Sequence, residues 1–350
     1  MTQPQKQTYP PGPATLLAQE LMLEHTDPLI MVTTADRLQT FYLSGGLAPW
    51  PRYQDGLQMV EMTTPTPEFK NLYSQGARQD GRTYGGDTVY DAMQIDGIFT
   101  ATATTPEGLS QVVSDWIAVN DPEKLCRLEW LTFESGLWWC DVRLDKRWVD
   151  RLQQSPRRQK KQVLSTVWSS DMAFWASVDS TCVWRPGNGE HLSLTNIGDR
   201  RGWPQIVFEG PGLLELGNGP GVSEMIKFGP LLDGQRVLIS THPRYRAIVD
   251  LTTAPVGQQL DPQQKLIDML VKLISMGQVP PALQWLESVF GIKPPQGVLY
   301  SLLEGRFTRP IPGVPQPSQA TTSWIAVKVT GGNDNTKVTA SLTPMRRWPE

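Results

Sequence analysis

The chain has 350 residues, of which 39% are hydrophobic and 19% charged, and its formal net charge is −3. This near balance of charge excludes a general electrostatic attraction to nucleic acid or acidic lipid. Glycine and proline number 30 each, above average usage, but they show no Gly-X-Y period and no low-complexity tract, which excludes collagen and bulk disorder. The many turn residues and the 13 tryptophans favour a globular, mainly β protein of two or three domains.

The N-terminal residues 1–26 predict an arm that carries a short helix over Ala14–His25. They lack the cationic start and apolar core of a secretory signal, and no stretch of the chain reaches the roughly 18 apolar residues of a membrane span. The cysteines, Cys126, Cys140 and Cys182, show no C-x-x-C spacing and lie among apolar neighbours. They therefore predict buried free thiols in a protein made in a reducing cytoplasm, with neither a disulfide framework nor a zinc site.

Residues 27–150 predict a first domain, a β-sandwich with one packed helix. Short strands are expected at Leu29–Val32 and Thr40–Leu43, around a turn. The stretch from Pro49 to Gly86 is punctuated by proline and glycine and is predicted to be irregular. Val89–Ala103 is expected to be extended.

The clearest local signals in this domain are a helix over 105–119 and the hairpin that follows it. Thr105 is placed to cap the helix and Pro106 to occupy its first position. The apolar side chains recur at helical spacing, at Leu109, Val112, Val113, Trp116 and Ile117. Alternating apolar residues then flank a turn at Glu134-Ser135-Gly136, which predicts a β-hairpin with one buried face.

A basic linker, 151–162, is predicted to lead into a second β-sandwich, 163–255. The basic run around it, 146–161, is compatible with a nucleic-acid patch, but a solvated linker is the favoured interpretation, and no specific nucleic-acid binding is predicted. In the second domain, glycine and proline mark turns every eight to twelve residues, the spacing typical of a sandwich. The glycine-rich string GNGPG at 217–221 lies between two β-runs and is interpreted as a hairpin loop, because a phosphate cradle needs a following helix.

Residues 256–350 predict a helical extension that ends in a β-hairpin. Asp261 caps one predicted helix and Pro280 opens a second. The extended linker RPIPGVPQP leads to the hairpin, whose strands are expected at Trp324–Thr330 and Lys337–Leu342.

No constellation of residues points to catalysis, a metal or a cofactor. The chain has three histidines, far apart in sequence, and no H-E-x-x-H, G-x-S-x-G or P-loop motif. Five carboxylates of the predicted second sandwich could in principle provide the acid and base of a glycosidase, but spacing pairs none of them: Asp171, Asp179, Asp199, Glu209 and Glu215. The chain is therefore predicted not to be an enzyme.

Aromatic residues divide into core and surface candidates. Core positions are predicted for Trp138, Trp168, Phe174 and Trp184. Trp139, on the opposite face of its strand from Trp138, and Trp203, beside Pro204 in a loop, are candidates for exposure. An exposed tryptophan stacks on a sugar ring or anchors a protein interface, although for a single tryptophan a purely structural role is the favoured interpretation.

Three segments, read together, carry a resemblance to a known family. They are DTVYDAMQIDGIFTATATTPEGLSQVVSDWIAVNDPEKLCRLEWLTFESGLWWCDVRL, then SSDMAFWASVD, then NIGDRRGWPQIVFEGPG. Their order resembles the distal tail proteins of long-tailed bacteriophages, which are named minor tail proteins in phages of actinobacteria. The ending, YSLLEGRFTRPIP and then SLTPMRRWPE, is similar to the actinobacteriophage branch. The resemblance covers 27–350, and its most specific residues are Asn196, Gly198, Asp199, Trp203 and Pro204, with Ile197 where the family often has proline.

The resemblance implies a structural virion protein of the tail tip, without catalytic residues. The first domain would form a hexameric ring beneath the tail tube, and a second, galectin-like sandwich would project from it. The implied partners are other copies of the chain, the tail tube protein, the central hub protein, the tape measure protein, and fibres or receptor-binding proteins. The alternative is a carbohydrate-binding adhesion module that recognises host-surface glycans through Trp203, and a tail-associated glycan hydrolase is a third, weaker hypothesis.

Overall fold

The computed structural model describes residues 27–34, 38–49, 53–63, 65–75, 80–146, 149–150, 155–243, 248–252, 302–315 and 320–350. The chain divides into two compact units, Met1–Trp175 with Arg346–Glu350, and Ala176–Met345. Strands dominate both units, which confirms the mainly β fold class. The predicted N-terminal arm and the helices predicted within 256–300 lie outside the described residues. No helix in the described ranges is long and apolar enough to cross a membrane.

The first unit is built on one large antiparallel sheet. The strands of this unit, in chain order, include β1 Leu29–Thr34, β2 Thr40–Ser44, β3 Gly56–Met62, β4 Phe69–Ser74, β5 Thr83–Tyr90, β6 Met93–Thr102, β7 Cys126–Thr132, β8 Gly136–Leu144, β9 Val149–Asp150 and β10 Lys161–Ser170. The main path of the sheet is β2-β1-β7-β8-β10-β6-β3, while β4 and β5 pair only with each other. The two end strands of the path, β2 and β3, contact one another, so the sheet curls around its own core.

The predicted helix is confirmed as α1, Pro106–Val119. The Thr105 hydroxyl accepts a hydrogen bond from the Gly108 amide at 3.0 Å, which satisfies one of the amides left free at the helix start. Trp116 carries the buried face of α1 into the core, where its ring lies 5.1 Å from Phe99 and 5.9 Å from Trp168. The helix is therefore fixed to the sheet by an aromatic cluster.

The hairpin of β7 and β8 also forms as predicted, with paired residues from Cys126 and Val142 to Thr132 and Gly136. Trp138 is fully buried on its inner face, and the indole donates to the Ser135 carbonyl at 3.0 Å. Trp168 and Trp184 are buried as predicted, whereas Phe174 is only half-buried.

The stretch predicted to be irregular, 49–86, contains β3, β4 and the start of β5. These strands escape pattern analysis for two physical reasons. In β3 a register shift between Met59 and Glu61 interrupts the alternation of buried and exposed residues. The β4–β5 pair buries neither face, so no alternation arises.

The boundary between the predicted domains is corrected by the pairing of β10. This strand was assigned to the second domain, yet it pairs with β6 along its whole length, from Lys161 to Ser170, inside the first unit. The described part of the predicted linker contains a short helix, α2 Pro156–Gln159, and the start of β10. Alternation identifies a strand but does not show which sheet it joins.

The second unit is a sandwich of two five-stranded antiparallel sheets. Ten of the remaining strands form these two sheets: β12 Ser180–Trp184, β13 His191–Asn196, β14 Gln205–Glu209, β15 Gly212–Gly217, β16 Met225–Leu231, β17 Arg236–Ser240, β18 Ile248–Asp250, β19 Leu303–Glu304, β20 Thr321–Thr330 and β21 Lys337–Leu342. The other two, β11 Trp175–Ser177 and β22 Met345–Arg346, pair with each other and belong to the large sheet described above. One sheet has the order β12-β21-β14-β17-β18 and the other β13-β20-β15-β16-β19. The core between them includes the fully buried Phe208 and Phe228, whose rings lie 6.5 Å apart.

The two strands predicted as a terminal hairpin are present as β20 and β21, but they do not pair with each other. β20 lies between β13 and β15, and β21 lies between β12 and β14 in the facing sheet. Residues 331–336 carry the chain from one sheet to the other, with Gly331 in the left-handed region at φ 77°. Residues 321–342 are thus an interior part of the second sandwich, not an appendage to it.

Candidate functional site

The segment Asn196–Pro204, the most specific part of the family resemblance, is a buried structural clamp. The Asn196 side-chain amide donates to the carbonyls of Arg200 at 2.9 Å and Pro312 at 3.0 Å, and its oxygen accepts from the Gly198 amide at 2.9 Å. Asn196 is fully buried, so these bonds are made away from water. The hydrogen bonds of Asn196 therefore close the loop between Asn196 and Arg200 and tie it to the proline-rich segment 309–315.

Gly198 and Asp199 lie where two other segments approach the backbone closely. A Cβ on Gly198 would lie 2.5 Å from the amide nitrogen of Met345, and the Gly198 carbonyl accepts from Val314 at 2.8 Å. A Cβ on Gly313 would lie 2.5 Å from the Asp199 carbonyl oxygen. The glycines therefore allow contact between backbones that a side chain would prevent.

Trp203 and Pro204 hold the other end of this segment. Trp203 is half-buried, packs against the core of the sandwich, and lies edge-on to His242 with ring centroids 5.7 Å apart. The Thr241 hydroxyl donates to the Pro204 carbonyl at 2.6 Å. Trp203 thus supports the fold and presents only part of its ring to solvent.

Trp139, the other surface candidate, is half-buried on the outer face of the first unit's sheet. The Arg127 guanidinium lies 5.2 Å from the centroid of its ring. The same guanidinium binds both carboxylate oxygens of Asp141, at 2.8 and 3.2 Å. One face of the Trp139 ring is therefore partly covered by Arg127, which Asp141 holds in position.

The five carboxylates considered for catalysis lie on both units, with Asp171 in the first and the others in the second. Asp171 pairs with Arg143 at 2.5 Å, and Glu209 lies 3.3 Å from Lys337. Asp179 accepts hydrogen bonds from Ser341 and Thr343, and burial raises its pKa to about 6. The described residues contain no group of three or more His, Cys, Asp and Glu that could hold a metal ion.

A ribbon of two strands in the first unit, β4 and β5, was not anticipated from the sequence. We call Phe69–Ser74 and Thr83–Tyr90 the ribbon. All six residues of β4 are exposed, including Phe69 at 61% and Leu72 at 50%. Sequence analysis could have found it only from the apolar residues within a proline- and glycine-rich stretch.

The ribbon has a defined internal structure in spite of its exposure. Tyr73 and Tyr84 pair edge-on at 6.0 Å, and the Thr88 hydroxyl donates to the Asn71 side chain at 2.9 Å. At its base, Tyr90 lies 5.1 Å from the ring of Phe174. An ordered two-stranded element that leaves large apolar side chains in water is typical of an interaction surface.

A second unanticipated feature is Trp324 on β20, whose side chain is 58% exposed. The sequence does contain the signal. Ser323, Ile325 and Val327 form the inward set of the strand, which leaves Trp324 and Lys328 facing outward. The segment had been assigned to a terminal hairpin, so its outward residues were not considered as a surface.

Comparisons with known proteins found a similarity of fold but no similarity of sequence. No family model matches the sequence, and no curated protein matches it either. The structure is similar to the Dit protein of phage SPP1, described as a paradigm of the hub adsorption apparatus in phages that infect Gram-positive bacteria. The match has a TM-score of 0.51 at 9% sequence identity, and it covers 91% of this chain and 99% of Dit. The fold is similar to that of a phage tail hub protein.

A further similar structure is the baseplate of phage P2 in its activated conformation with calcium. That match has a TM-score of 0.45 at 10% identity and covers 91% of this chain and 98% of the other. The likeness to Dit spans nearly the whole of both chains, so it includes both units of the present structure. It supports the fold expected from the family resemblance.

Proposed function

We propose that this protein is a structural component of a phage tail tip, where it forms a ring that joins the tail tube to the central hub and the host-attachment apparatus. The observation that carries the proposal is the likeness to Dit, which extends over 99% of that hub protein and 91% of this chain. An isolated likeness of one sandwich would be common among unrelated proteins. The succession of two units in the same chain is more specific.

The ribbon supports self-assembly. A free two-stranded ribbon is marginally stable in water, and both of its edges offer unpaired backbone groups to another chain. Phe69 and Leu72 would be removed from water if the ribbon lay on a neighbouring copy. In a closed ring each copy both gives and receives this contact, so every ribbon is covered.

The proposed partners follow from the ring. They are six copies of this chain, the tail tube protein on one side, and the hub and tape measure proteins on the other, with fibres or receptor-binding proteins around the periphery. The protein would act in the virion at the tail tip, through interfaces and without catalysis.

The test is the mass of the full-length protein in solution, measured by light scattering over a concentration series. A ring of six copies has six times the 39.1 kDa mass of the chain. The double variant Phe69→Ser with Leu72→Ser should shift the mass towards the monomer, because it removes exposed apolar area from the ribbon. The matched control is Val183→Ser, which changes an exposed apolar residue of the second unit.

One result would overturn the ring, and another would overturn the role of the ribbon in it. One is a monomeric mass at every concentration together with an absence of the protein from the tail-tip ring of a virion map. The other is an oligomer whose mass the ribbon variant leaves unchanged, which would show that the ribbon plays no part in assembly.

A second candidate function is binding of host-surface glycans. Trp203, which the sequence singled out for that role, is half-buried against the core. The observation that favours glycan binding is a different one, the exposed face around Trp324.

A further inference from the structure

The outer face of the sheet β13-β20-β15-β16-β19 is polar, with one large aromatic side chain near its middle. Trp324 points outward from β20, which is bordered by other strands on both sides. Within the described residues its side chain makes no hydrogen bond and no ring contact, and 58% of it is exposed. Both a flat apolar surface and the indole N–H are therefore available to a ligand.

Small residues lie beside Trp324 on the stretch of the outer face between it and Lys328, and we call this stretch the trough. In the antiparallel register Trp324 is opposite Ser193, and Ala326 is opposite His191. On the other side of Ala326 lies Gly217, where a Cβ would be 3.3 Å from the Ala326 amide nitrogen. The same row continues from Gly217 to the half-buried Met225 on β16.

A row of charged residues forms the far side of the trough. Register places Lys328 opposite Glu215, Glu215 opposite Lys227, and Lys227 opposite Glu304. The row alternates in sign and sums to zero. Four residues of extended strand separate Trp324 from Lys328, a distance of about 13 Å between their backbones.

We propose that this trough, between Trp324 and the Lys328–Glu215 row, binds a neutral saccharide. One face of a pyranose presents C–H groups that pack against an indole, while its hydroxyls both donate and accept hydrogen bonds. Alternating lysine and glutamate side chains supply both kinds of partner within one short row. Their balanced charge offers no net attraction to an acidic sugar.

A protein partner fits this face less well than a saccharide does. The centre of a protein interface is enriched in clustered apolar and aromatic residues and depleted in charge. Here a single tryptophan shares the face with serine, threonine, alanine, histidine and a row of lysine and glutamate, while the aliphatic side chains of Leu213 and Met225 are half-buried. The inference deepens the second candidate function and does not depend on ring assembly.

The experiment is binding of the full-length protein to an array of defined neutral and acidic pyranose oligosaccharides. The best neutral compound is then titrated while tryptophan fluorescence is recorded. We expect micromolar to millimolar affinity for a neutral oligosaccharide. Trp324→Ala should weaken it at least about tenfold, or 1.4 kcal/mol, and Ala326→Leu should weaken it similarly by filling the trough while the indole is kept.

Val183→Ala is the matched control, because it alters an exposed residue of the opposite sheet and should leave affinity unchanged. Circular dichroism and solution mass of each variant show whether the fold and the oligomer are intact. The proposal is overturned by an array without neutral ligands, or by affinity that survives both trough variants. Such a result would not contradict the proposed ring. Conversely, a monomeric protein that bound sugar through Trp324 would contradict the ring but not the proposed saccharide site.

Discussion

The guanidinium of Arg346 lies over the indole of Trp138, with its central carbon 4.3 Å from the ring centroid. Arg346 is 2% exposed and also donates to the Ser135 hydroxyl. It belongs to the C-terminal residues Arg346–Glu350, which are part of the first unit although more than 200 residues separate them from Trp138. Arg346 is therefore part of the core of the first unit.

Replacing Arg346 should destabilise the first unit. Arg346→Ala removes the cation over Trp138, leaves the Ser135 hydroxyl without this donor and opens a cavity. We expect a loss of about 3 kcal/mol in the free energy of unfolding. Urea denaturation followed by tryptophan fluorescence measures it, and Arg158→Ala, an exposed arginine on α2, is the control. A loss no larger than that of the control would show that the buried arginine contributes nothing.

The clamp of Asn196 should be equally sensitive. Asn196→Ala leaves two carbonyls and one amide without their partner in a fully buried position. We therefore expect a loss of about 2–4 kcal/mol in the free energy of unfolding. Thermal unfolding of the second unit is the measurement. The control is Asn188→Ala, in an exposed turn, which should lower the free energy of unfolding far less. If the two variants unfolded alike, the segment would not be a clamp.

Asp179 predicts a specific dependence of stability on pH. Burial raises its pKa to about 6 from 3.8, against the opposing hydrogen bonds of Thr343 and Ser341. Between these two values the folded state holds a proton that the unfolded state has lost, so stability falls as pH rises through this window. The full effect is at most about 3 kcal/mol. In Asp179→Asn the melting temperature should depend less on pH between pH 4 and pH 6. An unchanged dependence would contradict the raised pKa of Asp179.

The cysteines should differ in reactivity. Burial, reinforced by the charge of Asp141, raises the pKa of Cys126 to about 12 and that of Cys140 well above its usual value. Both should resist a thiol-exchange reagent in the native protein, because only the thiolate reacts. Half-buried Cys182 is then the site of native labelling, and Cys182→Ser should abolish it. In urea all the thiols should react, and rapid native labelling of Cys126 would refute this account.

Local chemistry made several features predictable. The helix α1 begins where Thr105 and Pro106 indicate, because capping depends on residues three positions apart. The hairpin β7–β8 follows from alternation on both sides of a turn. The loop at 217–221 does connect two strands, β15 and β16, as interpreted. Each of these features is predictable because the residues that determine it lie close to one another in the sequence.

The candidate surfaces were less accessible to sequence reasoning. Trp139 and Trp203 were singled out for exposure, but Arg127 lies over one and the sandwich core holds the other. Trp324 was missed because its strand was expected to pair in a terminal hairpin. The ribbon was missed because a strand with two exposed faces has no periodicity.

Local periodicity and turn chemistry are enough to predict the mainly β class, the helix with its cap, and the burial of Trp138, Trp168 and Trp184. Which strands are neighbours follows only from the tertiary structure. It placed β10 beside β6, set β20 and β21 in facing sheets, and brought Arg346 onto Trp138. The physical reason is that the backbone hydrogen bonds of a strand are the same for every partner. The choice among partners is made by the packing of side chains that are distant in sequence.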